Sequence, residues 1–188
     1  MADEPPRSRI ARAAAEQALV RVVHQYGGRP EFVVLGGLVP EILCSNTEFH
    51  HAGTIDVDVQ VNLEIAAGSV NTLRLERALR NAEFEPEGGS IWRWVAEGST
   101  NRTIVKFELL ADLDTARVES TIRFDECESL GAVNLRGSGF AARDAVPQRL
   151  TARINGQLLD VEVMVSDLAG FLLAKCAAAL ARRKRKDW

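Results

Sequence analysis

The segment Ile55–Asn62 constrains the fold more than any other stretch, because apolar and polar residues alternate through it without a break. Its apolar positions are Ile55, Val57, Val59 and Val61, and its polar positions are Asp56, Asp58, Gln60 and Asn62. Successive side chains of a β-strand point to opposite faces, so this period of two predicts a half-buried strand. Asp56 and Asp58 then share the polar face, with Cα atoms about 6.6 Å apart at a rise of about 3.3 Å per residue.

A helix and a buried strand are predicted before this segment. The helix covers residues 8–26, is capped by Ser8 and ends at Gly27-Gly28. Its apolar stripe, at the spacing i, i+3, i+4, i+7, consists of Leu19, Val22, Val23 and Tyr26. The apolar run 32–35 predicts the strand, which Gly36-Gly37 ends before a short helix over 38–44. Glycines at a strand-to-helix turn let a phosphate approach the backbone, and a helix N-terminus supplies N–H groups and a positive dipole end.

Helices and strands continue to interleave after it. Strands are predicted at 91–96, 103–110 and 157–165, the last forming a hairpin with the run 150–154 around Asn155-Gly156. One helix begins at Ser69, with the stripe Leu75, Ala78, Leu79 and Ala82. Another is capped by Ser166 and runs to at least Arg183, with the stripe Leu168, Leu172, Cys176 and Ala179. The predicted class is therefore α/β or α+β around a mixed sheet.

The composition limits the classes of protein to which this chain can belong. The chain has 188 residues, of which 46% are hydrophobic and 26% charged, which is an ordinary globular balance. No apolar run approaches the roughly 18 residues of a membrane span. The three cysteines are widely spaced, which favours reduced thiols in a cytoplasmic protein over a disulfide or zinc framework. The basic run 182–186 indicates either a site for a polyanion or a solvated helix end.

Two carboxylates on one strand face can bind divalent ions, although a polar outer face of a sheet has the same pattern. The order of a buried strand, Gly36-Gly37, a short helix and then the Asp56–Asp58 strand favours a triphosphate site beside a metal site. A third carboxylate is expected from the strand 103–110, where Glu108 lies opposite the apolar positions. Asp112, just beyond that strand, is the competitor.

Lys175 interrupts the apolar stripe of the C-terminal helix. A lysine at such a position either extends its ammonium to solvent, forms an ion pair or points into a pocket. Beside a triphosphate site, we favour the pocket.

The motifs Gly36-Gly37 and Thr54-Ile55-Asp56-Val57-Asp58, followed by an acidic strand, resemble the minimal nucleotidyltransferase superfamily related to DNA polymerase beta. The ending, with Lys175 and then Asp187 after the basic run, is similar to the helix of AbiEii/AbiGii-type toxins. That family includes mycobacterial members that act on tRNA. The resemblance implies a nucleotidyltransferase-like mixed sheet flanked by helices, with a core over residues 1–165 and a C-terminal helical region beginning at 166–188.

The resemblance also implies roles for individual residues. Gly36, Gly37 and Thr54 would contact the nucleotide phosphates, Asp56 and Asp58 would hold Mg²⁺ or Mn²⁺, Lys175 would contact the nucleotide, and Asp187 would complete the tail motif. Glu108 would be the third metal ligand. The expected reaction transfers NMP from an NTP to RNA, at a tRNA 3′ end. The partner expected for such a toxin is an antitoxin protein. The alternatives are an antibiotic-modifying nucleotidyltransferase and a non-catalytic protein that binds RNA or a partner.

Overall fold

The computed structural model describes residues 9–44, 54–61, 71–97 and 103–181. The helices in these ranges are α1 (Arg9–Tyr26), α2 (Val39–Leu43), α3 (Thr72–Asn81), α4 (Phe140–Arg143) and α5 (Leu168–Ala181). The strands are β1 (Phe32–Leu35), β2 (Asp56–Val61), β3 (Glu85–Pro86), β4 (Arg93–Glu97), β5 (Ile104–Ala111), β6 (Thr121–Arg123), β7 (Gly131–Asn134), β8 (Val146–Ile154) and β9 (Gln157–Val165). Short 3₁₀ turns lie at Gly36–Leu38 and Glu87–Gly89.

These strands form one mixed sheet in the order β3-β4-β5-β2-β1-β9-β8. Strand β2 is antiparallel to β1 and parallel to β5, and β1 is parallel to β9. At its C-terminal end, β5 also pairs with β7, which pairs with β6. Because helices pack against this mixed sheet, the predicted α+β class is confirmed at that level.

Helix α1 seals one face of the sheet together with α3. It contacts α3 and the strands β2, β5, β8 and β9. Its predicted stripe is buried, as is that of α3. Gly27 ends α1 with a φ of 72° and donates its N–H to the carbonyls of Val23 and His24. Helix α3 begins at Thr72 and is capped by Asn71, whose side chain accepts from the N–H of Arg74 at 2.8 Å, whereas the predicted start at Ser69 lies outside the described residues.

The alternation predicted for β2 is confirmed, with one exception. Val57 and Val59 are fully buried, and Asp56 and Asp58 are half-buried on the other face. Gln60, predicted on the polar face, is only 3% exposed. Its register neighbours on β1 and β5 are Val33 and Leu110, so apolar side chains flank it on this part of the second face.

The predicted hairpin is confirmed, and its first strand is longer than expected. Asn155 and Gly156 both have positive φ, 50° and 82°, as a two-residue hairpin turn requires. Strand β8 begins at Val146 instead of Leu150, and its pairing with β9 extends the sheet beyond β1.

Two predictions for α5 are wrong. The residue that caps the helix is Asp167, whose Oδ1 accepts from the N–H of Gly170 at 2.7 Å, while Ser166 is buried and donates its backbone N–H to Val34. The stripe predicted as buried faces outward, with Leu168 62% and Leu172 52% exposed. The residues that face inward are the small or partly buried ones, namely Gly170, Phe171, Ala174, Ala177 and Ala178.

The reason is that α5 is apolar around almost its whole circumference, so its sequence does not select one face. Close approach to α4 selects it instead. A Cβ on Gly170 would lie 2.6 Å from the carbonyl oxygen of Phe140, and a Cβ on Gly137 would overlap Ala177. None of the helices in the described residues has both the length and the apolar content that a membrane crossing requires.

Candidate active site

The first glycine of the predicted motif lies directly against the second aspartate. Gly36 has a φ of 75°, a conformation that L side chains rarely adopt, and a Cβ at this position would overlap Oδ2 of Asp58. Glycine is therefore required here by backbone conformation and by the space that the carboxylate occupies. The turn after β1 and the carboxylate of β2 form one packed unit.

The second glycine lies against Thr54 in the same way. A Cβ on Gly37 would be 2.8 Å from Cβ of Thr54. The hydroxyl of Thr54 accepts a hydrogen bond from the backbone N–H of Asp56 at 3.1 Å, which closes the turn at the start of β2. The predicted motif residues Gly37, Thr54 and Asp56 are therefore neighbours in space.

A row of charged side chains crosses the sheet on this face. Asp58 is in register with Leu35 on β1 and with Glu108 on β5, and Glu108 is in register with Arg93 on β4. Residues in register on adjacent strands point to the same face, and the strands are about 4.8 Å apart. The prediction that Glu108 faces the same side as the aspartates is confirmed. Asp56 lies two residues before Asp58 on β2 and is in register with Lys106 on β5.

Arg93 holds the carboxylate of Glu108. Its Nε donates to Oε1 of Glu108 at 2.7 Å, and its Nη1 lies 3.3 Å from Oε2 of Glu87. Burial raises the pKa of the Glu108 carboxyl above its ordinary value; Arg93 opposes this rise, and the charge of Asp56 adds to it. Glu108 is therefore a half-buried carboxylate with an acidic neighbour on one side and a guanidinium on the other.

Asp112, the other candidate for the third carboxylate, has a structural role. One of its oxygens accepts from the backbone N–H groups of Gly137 and Gly139, at 2.9 and 3.1 Å. It holds the turn before α4, whereas Glu108 stands beside Asp58. Of the two, Glu108 is the one that the sheet brings to the aspartates.

Lys175 joins these residues from α5. Together with Gly36, Asp58 and Glu108 it lines a cleft of about 130 Å³, and its Nζ lies 5.7 Å from the ring centroid of Phe171. This volume holds a phosphate-sized group, so a whole nucleotide would extend beyond it. The remaining lining residues are Leu35, Leu110, Val118, Glu119, Leu135, Arg136, Ser138, Phe171, Ala174 and Ala178. Asp187 and the basic run 182–186 lie outside the described residues.

Sequence reasoning missed three charged residues of this region. Arg93 lies between Trp92 and Trp94 in the sequence, and only the pairing of β4 with β5 places it beside Glu108. Arg136 and Glu119 line the cleft from the loops that flank β6 and β7. Glu119 has a φ of 61°, uncommon for a residue with a side chain, and nothing in the sequence marks it.

The carboxylates suit a magnesium ion in part. Mg²⁺ is usually held by one or two carboxylates together with substrate phosphates, and Asp56 and Asp58 supply two on one strand face. In the part of the chain that the structure describes, no three His, Cys, Asp or Glu side chains are arranged to hold a metal. Glu108 does not complete such a set, and its Oε1 accepts a hydrogen bond from Nε of Arg93.

Comparison of the chain with protein-family models, with curated proteins and with solved structures finds no match. The inferences about function therefore rest on the residues of this chain and on their arrangement.

Proposed function

We propose that this chain is a metal-dependent nucleotidyltransferase with a nucleotidyltransferase-like fold, which transfers NMP from an NTP to a hydroxyl acceptor and releases pyrophosphate. The observation that carries the proposal is the meeting of four predicted residues at one cleft. Gly36 lies against Asp58, Glu108 stands beside Asp58 in register, and Lys175 reaches the same cleft from a distant part of the sequence.

In the proposed reaction, the acceptor oxygen attacks the α-phosphate in line and the bond to pyrophosphate breaks. A divalent ion held by Asp56, Asp58 and the substrate phosphates would supply charge neutralisation. The diglycine turn lets Asp58 and Thr54 pack directly against the backbone, which fixes the Asp58 carboxylate beside the place proposed for the phosphates. The ammonium of Lys175 stabilises the negative charge that grows on the leaving pyrophosphate. Glu108, a half-buried carboxylate with a raised pKa, is suited to orient the attacking hydroxyl and accept its proton.

The proposed acceptor is RNA, at a tRNA 3′ end, and the proposed setting is a cytoplasmic toxin restrained by an antitoxin. Support for this finer proposal comes from the similarity of the C-terminal sequence to AbiEii-type toxins, including Lys175, the basic run 182–186 and Asp187. A basic run of this kind attracts nucleic-acid phosphates.

The test is incubation of the protein with Mg²⁺ and each α-labelled NTP, in the presence of total RNA or of a panel of hydroxylated antibiotics. Label in RNA supports the RNA-directed activity. Label in a drug replaces it with the antibiotic-modifying alternative, and label in neither supports the non-catalytic alternative.

Variants of the aspartates connect this activity to the site. Asp56→Asn and Asp58→Asn should each abolish transfer and leave the protein folded, because both side chains are half-buried on the face of the sheet that carries the cleft and lie outside the core. The matched control is Asp160→Asn on β9, where the carboxylate is exposed and lies 3.5 Å from Nε of Arg149. Wild-type transfer rates in both site variants would refute the assignment.

A further inference from the structure

Glu108 stands between a carboxylate and a guanidinium, of which only the guanidinium attracts its own carboxylate. On one side is Asp58 of β2, and on the other is Arg93 of β4, both in register with it. The contact that is formed is with Arg93, at 2.7 Å from Nε to Oε1. Because β4 and β2 lie on opposite sides of β5, this contact draws the carboxylate away from the aspartates.

Arg93 is itself held in place. Glu87 binds its Nη1 at 3.3 Å, and the guanidinium carbon lies 4.5 Å from the ring centroid of Trp92. Its backbone N–H donates to Oγ of Ser90 at 3.2 Å. The guanidinium therefore has a carboxylate on each side and an aromatic ring over it, and the side chain of Glu108 is only 17% exposed, so that solvent weakens this ion pair less than an exposed one.

We propose that Arg93 is a positioning residue that withholds Glu108 from the metal site, so that Asp56 and Asp58 alone bind the ion until a nucleotide arrives. Two carboxylates hold Mg²⁺ weakly without substrate phosphates. The ion would then be bound firmly only as a metal–nucleotide complex. This inference rests on the proposed function. The opposite role, in which Arg93 presents Glu108 to the ion, is disfavoured because no three carboxylates converge in the described residues.

The test is a titration of Mn²⁺ into the full chain without nucleotide, at pH 8, with free Mn²⁺ followed by electron paramagnetic resonance. Arg93→Gln should bind Mn²⁺ about tenfold tighter or more, because a third carboxylate becomes free to approach the ion. Glu108→Gln alone should bind like the wild type. The double variant should return to within about twofold of the wild type.

Lys106→Gln separates release of Glu108 from simple removal of a positive charge. Lys106 is in register with Asp56 on the same face, but its loss leaves the Arg93–Glu108 contact in place. It should tighten Mn²⁺ binding about twofold at most, and by the same factor in a Glu108→Gln background. Should Arg93→Gln fail to fold, Arg93→Lys keeps the charge without the fork geometry, and should tighten binding less but in the same direction.

The inference is overturned by unchanged or weaker Mn²⁺ binding in Arg93→Gln, or by tightening that persists when Glu108 is also replaced. Nucleotide transfer by the wild type is measured in parallel. Intact transfer with an unaltered Arg93→Gln titration refutes only the role of Arg93, whereas absent transfer refutes the nucleotidyltransferase itself.

Discussion

Helix α1 packs on the sheet and helix α5 packs on α4 and α2. Both carry an apolar stripe at helical spacing, but the two stripes lie in opposite environments. The predicted stripe of α1 is buried along its length, and that of α5 faces outward. Helix α1 has charged residues at other positions, so one arc of its surface is the better one to bury. Helix α5 has a single charged side chain, Lys175, and its orientation follows from where small residues allow contact with α4. Periodicity identifies a buried face only when the opposite face is polar.

The two faces of the sheet also differ, since one is closed by apolar packing and the other carries a cleft. The side under α1 is closed by complementary apolar side chains, as the burial of Val57, Phe107 and Leu109 shows. The side bordered by α5 keeps a cleft and a row of charges. Stability should therefore depend on the α1 side and ligand chemistry on the α5 side.

The largest effect on stability is expected from Leu19→Ala in α1. Leu19 is fully buried, so its truncation leaves a cavity and should lower the free energy of unfolding by about 2–5 kcal/mol. Denaturant unfolding measures it. A loss below about 1 kcal/mol would mean that the α1 side is less closely packed than the structure indicates.

Lys175→Met should separate function from stability on the α5 side. Methionine keeps the length and the apolar stem, so the melting temperature should be unchanged, while transfer falls by about 10²–10³-fold, or roughly 3–4 kcal/mol. Lys175→Arg, which retains the charge, should keep part of the rate. Normal transfer by Lys175→Met would show that this ammonium has no role at the cleft.

Gly36→Ala tests the turn at which β1 enters the site. It should lower the free energy of unfolding by about 1–3 kcal/mol more than Gly156→Ala, because both glycines have positive φ but only Gly36 has a neighbour where the Cβ would lie. In an Asp58→Ala background, the loss of unfolding free energy caused by Gly36→Ala should exceed that of Gly156→Ala by much less. Equal losses for Gly36→Ala and Gly156→Ala would contradict the close packing of Asp58 on the turn.

Leu172→Ala in α5 should have the smallest effect, within about 0.5 kcal/mol in the free energy of unfolding, since this side chain is 52% exposed. It is the counterpart of Leu19→Ala, with the same chemical change on the other helix. If the two variants lose similar stability, the contrast between α1 and α5 fails.

Several elements were predictable because their signal is local. The alternation of β2, the stripe of α1 and the Asn155-Gly156 turn each follow from side-chain direction or backbone conformation within a few residues. The cap of α5 was misjudged, because serine and aspartate both cap helices and adjacent candidates compete. The burial of Gln60 was missed, because the strand alone does not show what covers its second face.

The sequence by itself determined that Asp56 and Asp58 share a strand face, that a diglycine ends the strand before them, and that Glu108 lies opposite the apolar positions of its own strand. Only the tertiary structure decided that Gly36 touches Asp58, that Arg93 engages Glu108, and that Lys175 reaches the cleft. The physical reason is that side-chain direction repeats with the local backbone geometry of each element, whereas the neighbours of a strand depend on how the whole chain packs. Glu108 has the same alternation whether Asp58 or Arg93 lies beside it, and the order of the strands in the sheet puts it between the two.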